Sequence, residues 1–232
     1  MTLARLRVTL PLLLSLNAGF VDTAGFLALQ GLFTAHVTGN FVTLGASLAL
    51  GTSGAIAKLL ALPVFCVVVI AIRLLSSALL RRTLPALKVL LSLKVILLIA
   101  GAVLAIRLGP FTNGDAWQAV VTGMVLVAAM AIQNAAHRIH LGSAPPSTLM
   151  TGTTTQIMID LADMIQAPKS DNAERPGARV LRMSANIAVF AAGCAAAAVL
   201  YARIGVWCFA VPPVLGFASL FLRLAPAGNG PH

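Results

Sequence analysis

The stretch Gly19–Gly45, GFVDTAGFLALQGLFTAHVTGNFVTLG, decides the fold because it sets polar side chains inside apolar sequence. Its polar members include Asp22, Gln30, His36, Thr38 and Asn40. A charged side chain within a membrane span costs roughly 2.5–3.5 kcal/mol on insertion scales, so Asp22 must face a bundle interior or a cavity. The segment Thr34–Asn40 predicts that the helix breaks and restarts there. We expect Thr38 to be the N-cap of the restart, with Gly39 allowing a close backbone approach.

Composition indicates an all-α polytopic membrane protein. Apolar residues make up 59% of the chain and charged residues 9%, and the mean hydropathy is +0.96. Soluble domains are about one quarter charged, and apolar runs of roughly 20 residues, long enough to cross a bilayer, recur here. The net charge of +10 comes from short basic clusters between apolar runs, which is typical of membrane topology. We expect no nucleic-acid binding, since no basic stripe with interleaved aromatic residues is present.

The apolar runs predict six full spans and two short helices. The spans lie at about residues 8–29, 56–80, 87–106, 117–136, 183–202 and 206–222, and the short helices at 38–50 and 151–166. The first run is about 22 residues long and exceeds the roughly 7–15 of a signal peptide, so it is predicted to be a mature span. The helix 38–50 is only ~20 Å long against a hydrocarbon core of ~30 Å, which predicts a broken or re-entrant segment. Pro168–Arg182 is predicted to be a solvated connector.

The two halves of the chain, 1–116 and 117–232, carry matching motifs. Asp22 aligns with Gln133, Gly31 aligns with Gly142, and Thr38-Gly39-Asn40 aligns with Thr151-Gly152-Thr153 after a two-residue insertion. With six spans, most basic residues and both termini face the cytoplasm, in accord with the positive-inside rule. The halves then have opposite orientations and one broken segment each. Secondary transporters with inverted repeats are built in this way.

These motifs resemble a known family. The stretch Gly19–Gly45, with the later MAIQNAA and LMTGTTTQ, is similar to the YoaK family of bacterial integral membrane proteins. The resemblance covers nearly the whole chain and implies a multi-span protein of the bacterial inner membrane. The family is one of unknown function, described as membrane transporters, and it supplies no substrate or site residue.

The candidate site therefore comes from the residues alone. We assign proton coupling to Asp22 and His36. Substrate binding is assigned to polar and small residues around the two Thr-Gly elements and the end of the span at 117–136: Thr38, Gly39, Asn40, Gln133, Asn134, Thr151, Gly152 and Thr153. No catalytic, metal-binding or cofactor-binding residue is predicted. The expected partners are the lipid bilayer and a small-molecule or ion substrate, and a homodimer is left open.

Structural alternatives stand beside several of these assignments. Asp22 could pair with Lys94 or Arg73, and His36 could be a hydrogen-bonded ring near the outer interface. The Thr-Gly elements could be sites of tight helix packing. His137 and His140 are predicted to be interfacial, and Asp160 and Asp163 to be surface residues rather than a metal pair. The three cysteines are expected to be small packing residues: Cys66, Cys194 and Cys208.

The expected function is a secondary transporter of a small polar or anionic solute, coupled to protons through Asp22. A membrane-embedded enzyme is the first alternative, but no HExxH, GxSxG or paired-carboxylate constellation supplies its chemistry. We therefore expect no enzyme. A non-transporting scaffold or sensor is the other alternative. It predicts that the polar residues at both Thr-Gly elements tolerate apolar replacement.

Overall fold

The computed structural model describes residues 9–148, 150–166 and 176–222, and this part of the chain is all-helical apart from its loops. Eight α-helices and one 3-10 segment follow in order: α1 Leu10–Ala28, α2 Gly39–Leu50, α3 Ala55–Arg81, α4 Ala86–Leu108, α5 Trp117–His140, α6 Met150–Gln166, α7 Pro176–Ile204, the 3-10 segment Gly205–Ala210 and α8 Val211–Ser219. Both short helices and all the predicted apolar segments are therefore helical, with ends that differ by a few residues.

The prediction of a solvated connector at Pro168–Arg182 is wrong for the second half of that segment. α7 begins at Pro176, so Arg179 and Arg182 are helical, and the remainder lies outside the described residues. A proline fits the first turn of a helix, where its missing N–H would have no partner. The many charged residues in this segment suggested a loop. In the structure, Arg179 in the first turn of α7 instead binds the buried Asp160 of α6.

Five helical segments of the described chain are long and apolar enough to cross a bilayer. The last of them covers Gly177–Ser219, 43 residues, and includes α7, the 3-10 segment and α8. Gly205 has φ +57 between α7 and the 3-10 segment, a left-handed conformation that ends the helix. The chain is an integral membrane protein with several spans, in contact with the lipid bilayer. The count of six remains a prediction.

α1 and α5 form the centre of the bundle. In the most apolar window of each, 67% of the residues are buried, against 22% in α3. Large apolar side chains of α3 such as Val67, Ile70 and Leu74 are exposed on the surface of the protein. An exposed apolar face of this kind is stable in contact with lipid, so we infer that this face of α3 lies against the bilayer.

The helix contacts come in matching pairs. α1 packs on α7 as α5 packs on α3, and α2 packs on α3 as α6 packs on α7. α4 likewise contacts α5, and α8 contacts α1. Each of these contacts is replaced by its counterpart when the first four helices are exchanged with the last four, whereas the contact of α3 with α4 corresponds to that of α7 with the 3-10 segment.

The short helices dock in the same register. α2 buries Asn40 and Ser47, and α6 buries Thr153 and Asp160, which are the residues 113 positions later (153 − 40 and 160 − 47). Lys58 Nζ of α3 donates to Ser47 Oγ at 2.6 Å. In the other half, Arg179 Nε of α7 donates to Asp160 Oδ2 at 2.7 Å. Asp160 is thus buried in an ion pair, and its predicted surface position is wrong, whereas Asp163 is exposed.

The restart of the chain at α2 occurs where it was predicted but uses different chemistry. Thr38 is the N-cap residue, yet its hydroxyl caps no helix N–H. The Asn40 amide instead binds the loop, accepting from Phe33 N and donating to Phe33 O, both at 2.8 Å. This two-point clamp holds the loop before α2 against the first turn of the helix. An amide can satisfy a donor and an acceptor together, which a threonine hydroxyl does less well.

Candidate functional site

Asp22 is the centre of the first polar cluster. Its side chain lies in the middle of α1 and is 4% exposed. Oδ1 accepts hydrogen bonds from the backbone N–H groups of Thr34 and Ala35, both at 2.7 Å, and from Thr34 Oγ1 at 3.3 Å. Oδ2 lies 2.6 Å from His36 Nδ1. A buried carboxylate needs such donors, since an unpaired charge in an apolar interior is very costly.

The loop after α1 brings these donors back to Asp22. Gln30 has φ 54 and Gly31 has φ 82, so two successive left-handed residues reverse the chain after α1 ends at Ala28. Residues 32–38 then run beside the helix they have just left. The sequence pattern predicted a break here, and the reversal explains why the break places a loop beside the acid.

His36 links the first half of the chain to the second. Its side chain is 33% exposed, and its ring makes an edge contact with Phe190 of α7 at a centroid distance of 5.5 Å. The ring also lies near the backbone of Thr148, in the loop before α6. The hydrogen bond to Asp22 raises the pKa of His36 above its ordinary value, although burial opposes this. His36 is therefore protonated more readily beside Asp22 than a free imidazole.

A second polar cluster surrounds Gln133 of α5. Lys94 Nζ of α4 donates to Gln133 Oε1 at 2.5 Å. Gln133 Nε2 donates to Leu14 O at 2.9 Å and to Ser147 Oγ at 3.1 Å. Lys94 and Gln133 are each 0% exposed. Three helices and the loop before α6 thus meet at one amide.

The two clusters have the same plan. Gln133 is the counterpart of Asp22, and Ser147 is the counterpart of Thr34 when the two-residue insertion is counted. Asp22 contacts Thr34 Oγ1, and Gln133 contacts Ser147 Oγ. In each half, a polar side chain in the first long helix therefore holds a hydroxyl of the following loop. The chemistry differs, because the first half has an acid and the second half has an amide, which accepts from Lys94 of the first half.

Comparison with known proteins identifies the family. A family model described as "Protein of unknown function (DUF1275)" matches residues 10–222. The chain belongs to this family. It is also similar to "UPF0700 transmembrane protein YoaK" of Bacillus subtilis (strain 168), with 55% identity over 53 residues. That alignment covers 23% of this chain and 23% of the relative, so it supports the family and nothing finer. No solved structure matches the chain.

In this DUF1275 member, some predicted site residues meet in the polar clusters. Asp22 and His36 lie in the first cluster and Gln133 lies in the second. Asn134 accepts a hydrogen bond from Thr148 Oγ1 at 2.6 Å, beside the second cluster. The backbone of Thr148 lies near His36, so the two clusters are next to each other.

The Thr-Gly elements lie outside the hydrogen bonds of these clusters. Thr38, Thr151 and Gly152 are exposed, and Gly39 sits against the ring of Phe33. Thr153 is buried on α6, in the register of Asn40. α2 and α6 do not contact each other in the described structure. The substrate-binding assignment of this group remains a prediction.

One alternative from the sequence is wrong. Asp22 pairs with neither Lys94 nor Arg73 in the described structure, because the loop after α1 supplies His36 and two N–H groups instead. His137, whose interfacial depth stays a prediction, is 6% exposed, with Nε2 3.4 Å from Ala144 O. Its Nδ1 atom is buried without a partner. The loop after α5 brings Ala144 O close to the ring. The helical periodicity of the sequence does not reveal this contact.

Sequence reasoning missed Ser147 and Asn186 as members of the polar centre, and it named Lys94 only as a candidate partner of Asp22. Asn186 Nδ2 of α7 donates to Pro146 O at 2.8 Å, and Ser15 Oγ of α1 donates to Asn186 Oδ1 at 2.6 Å. The depth of Lys94 within its span was the available signal. Ser147 and Asn186 carried none, since isolated serine and asparagine residues are common in membrane helices and loops. Within the described ranges no group of three or more His, Cys, Asp or Glu side chains is placed to hold a metal ion, and we assign no residue to a metal.

Proposed function

We propose that this protein is a secondary transporter of a small polar or anionic solute in the bacterial inner membrane, coupled to protons through Asp22 and His36. The observation that carries the proposal is the pair formed by the buried Asp22 and the partly exposed His36, whose Nδ1–Oδ2 distance is 2.6 Å. Ionisable groups inside a membrane bundle are costly and are typical of proton relays and transport pathways. The pair also lies at the contact between the two halves, where alternating access requires a switch.

The coupling follows from the hydrogen bonds of Asp22. As a carboxylate it attracts His36 and accepts from Thr34 and Ala35 of the loop. A proton delivered to the pair weakens the charge-assisted bonds, which are roughly twice as strong as neutral ones. The loop carrying His36 can then leave both α1 and Thr148. Protonation thereby favours one arrangement of the halves, as a coupling ion must.

The paired contacts support an architecture of two halves, 1–116 and 117–232. We propose that the halves are inverted repeats with six spans, that α2 and α6 are half-helices that do not cross fully, and that both termini are cytoplasmic. Support comes from the exchange of helix contacts and from the shared register of α2 and α6. The substrate would enter between the loops before α2 and α6, where the Thr-Gly elements begin. We propose no enzymatic activity for this arrangement.

The test measures gradient-driven uptake by the purified protein in liposomes. A panel of labelled amino acids, monocarboxylates and inorganic anions is screened while a trapped pH dye reports proton entry. Asp22→Asn keeps the shape of the protonated acid, so we expect it to lose accumulation against a gradient but to retain solute exchange. Asp163→Asn, at an exposed carboxylate on α6, should behave like the wild type. An Asp22→Asn protein that still accumulates solute would overturn the coupling role.

A further inference from the structure

The cluster around Gln133 contains more hydrogen-bond donors than acceptors. An ammonium group offers three N–H donors, and Lys94 uses one of them on Gln133 Oε1. Both N–H groups of Gln133 are used, on Leu14 O and Ser147 Oγ. Ser147 is 2% exposed, and in the described structure its hydroxyl only accepts. Two N–H groups of Lys94 and the O–H of Ser147 therefore remain available.

Lys94 also lacks a counter-ion. Four acidic residues lie in the described part of the chain. Asp22 is bound by His36, Asp160 by Arg179, Asp115 accepts from the backbone at the start of α3, and Asp163 is exposed. An ammonium group that is 0% exposed and paired only with a neutral amide is poorly compensated for its lost hydration. An anion would supply both the missing charge and the missing acceptors.

We propose that Lys94, Gln133 and Ser147 form a binding site for a small monovalent anion. The anion accepts from Lys94 Nζ and Ser147 Oγ, while Gln133 orients the lysine. A single charge is indicated because Lys94 and Lys58 are the only buried cationic side chains of the described residues, and Lys58 is bound to Ser47. The site deepens the proposed function by naming its substrate class. It rests on that function for movement of the anion, but not for binding.

The test is anion-dependent thermal stabilisation of the purified full-length protein in detergent. Sodium chloride, nitrate and formate are each titrated against sodium gluconate at constant ionic strength, with sulfate as the divalent comparison. A ligand that binds only the folded state raises the midpoint of unfolding with concentration. We expect stabilisation by at least one of the three small monovalent anions and none by sulfate beyond the gluconate baseline.

Two variants and a matched control locate the site. Lys94→Gln should weaken the apparent affinity at least tenfold. Gln133→Glu should also lose the response, because its carboxylate takes the donors of Lys94 while keeping the buried amine paired. Lys88→Gln removes an exposed lysine from the same helix and should respond like the wild type. If Lys94→Gln does not fold, Gln133→Glu decides.

The proposal is overturned if the wild type shows no anion response, or if either cluster variant retains it in full. The outcome is separate from that of the transport assay. Anion binding that depends on Lys94 but is accompanied by no flux in liposomes supports this site and refutes the transporter. Proton-coupled flux with an unchanged response in Lys94→Gln supports the transporter and refutes this site.

Discussion

At the scale of single residues, one acid and one lysine are buried in different ways. Asp22 is held by four donors from its own half of the chain. Lys94 donates to one amide from the other half. A carboxylate that accepts several hydrogen bonds is compensated in its charged form, whereas an ammonium on one amide is not. The hydrogen bonds of Asp22 are those of a group that fixes a local loop. Those of Lys94 leave N–H donors available for the anion that we propose.

The pH dependence of stability should report the His36–Asp22 contact. The hydrogen bond to Asp22 raises the pKa of His36 above its ordinary value of 6.5 in the folded protein. The contribution to the free energy of unfolding is therefore complete below about 6.5 and is lost as the pH rises through the raised folded pKa. We expect the unfolding midpoint of the wild type to fall over that range more steeply than that of His36→Gln.

The measurement is thermal unfolding in detergent at a series of pH values from about 5.5 to 9. His232→Gln, at the end of the chain, is the control for loss of an imidazole elsewhere. Parallel curves for the wild type and His36→Gln would show that the contact adds no proton-linked stability.

At the scale of helices, the close crossing of α1 and α7 holds the site together. A Cβ atom on Gly193 would lie 2.2 Å from Leu16 O, and one on Gly19 would lie 2.2 Å from Phe190 O. Small residues allow membrane helices to approach in this way, which strengthens their van der Waals packing. The crossing brings Phe190 to His36 and Asn186 to Ser15. The polar centre therefore depends on two glycines that do not contact its charged groups.

Gly193→Ala should destabilise the protein by about 1–3 kcal/mol, because the added methyl group overpacks the crossing against main-chain atoms that cannot rotate away. Gly45→Ala on α2 is the matched control, since its Cβ meets nothing within 4 Å. Unfolding midpoints of both variants, measured with the wild type, check this. Equal stability of Gly193→Ala and the wild type would mean that α1 and α7 are not this close in the membrane.

At the scale of the whole molecule, the two halves share a plan but differ in charge. The main helix contacts of one half have counterparts in the other. In each half, a polar side chain of the first long helix is hydrogen-bonded to a hydroxyl in the loop that follows that helix. The first half places an acid there, and the second half places an amide, which accepts from Lys94 of the first half. The polar centre of the second half is therefore completed by a side chain of the first.

The orientation of the halves has a direct test by cysteine labelling in a background without Cys66, Cys194 and Cys208. With six spans, we expect a cysteine at Thr112 to react from outside, and cysteines at Ser170 and the C-terminus to react only from the cytoplasm. Membrane-impermeant reagents applied to intact cells and to inverted vesicles separate the two sides. Labelling of Ser170 from outside would contradict the inverted arrangement.

The sequence alone determined where the membrane helices lie and that Asp22 must be buried. Both follow from local quantities, the length of an apolar run and the hydration cost of a charge, which do not depend on the neighbours. It also located the break before α2, although Asn40 rather than Thr38 satisfies the backbone there. The matching motifs indicated which positions of the two halves correspond.

Only the tertiary structure decided which buried polar side chains are partners. Asp22 binds His36 because the chain reverses at Gln30 and Gly31, and Lys94 reaches Gln133 because α4 packs on α5. A buried polar group has many candidate partners, and the spacing of residues along a helix does not show which of them it contacts. The choice is made by which helices approach most closely, and that is set by small residues and packing across the whole bundle.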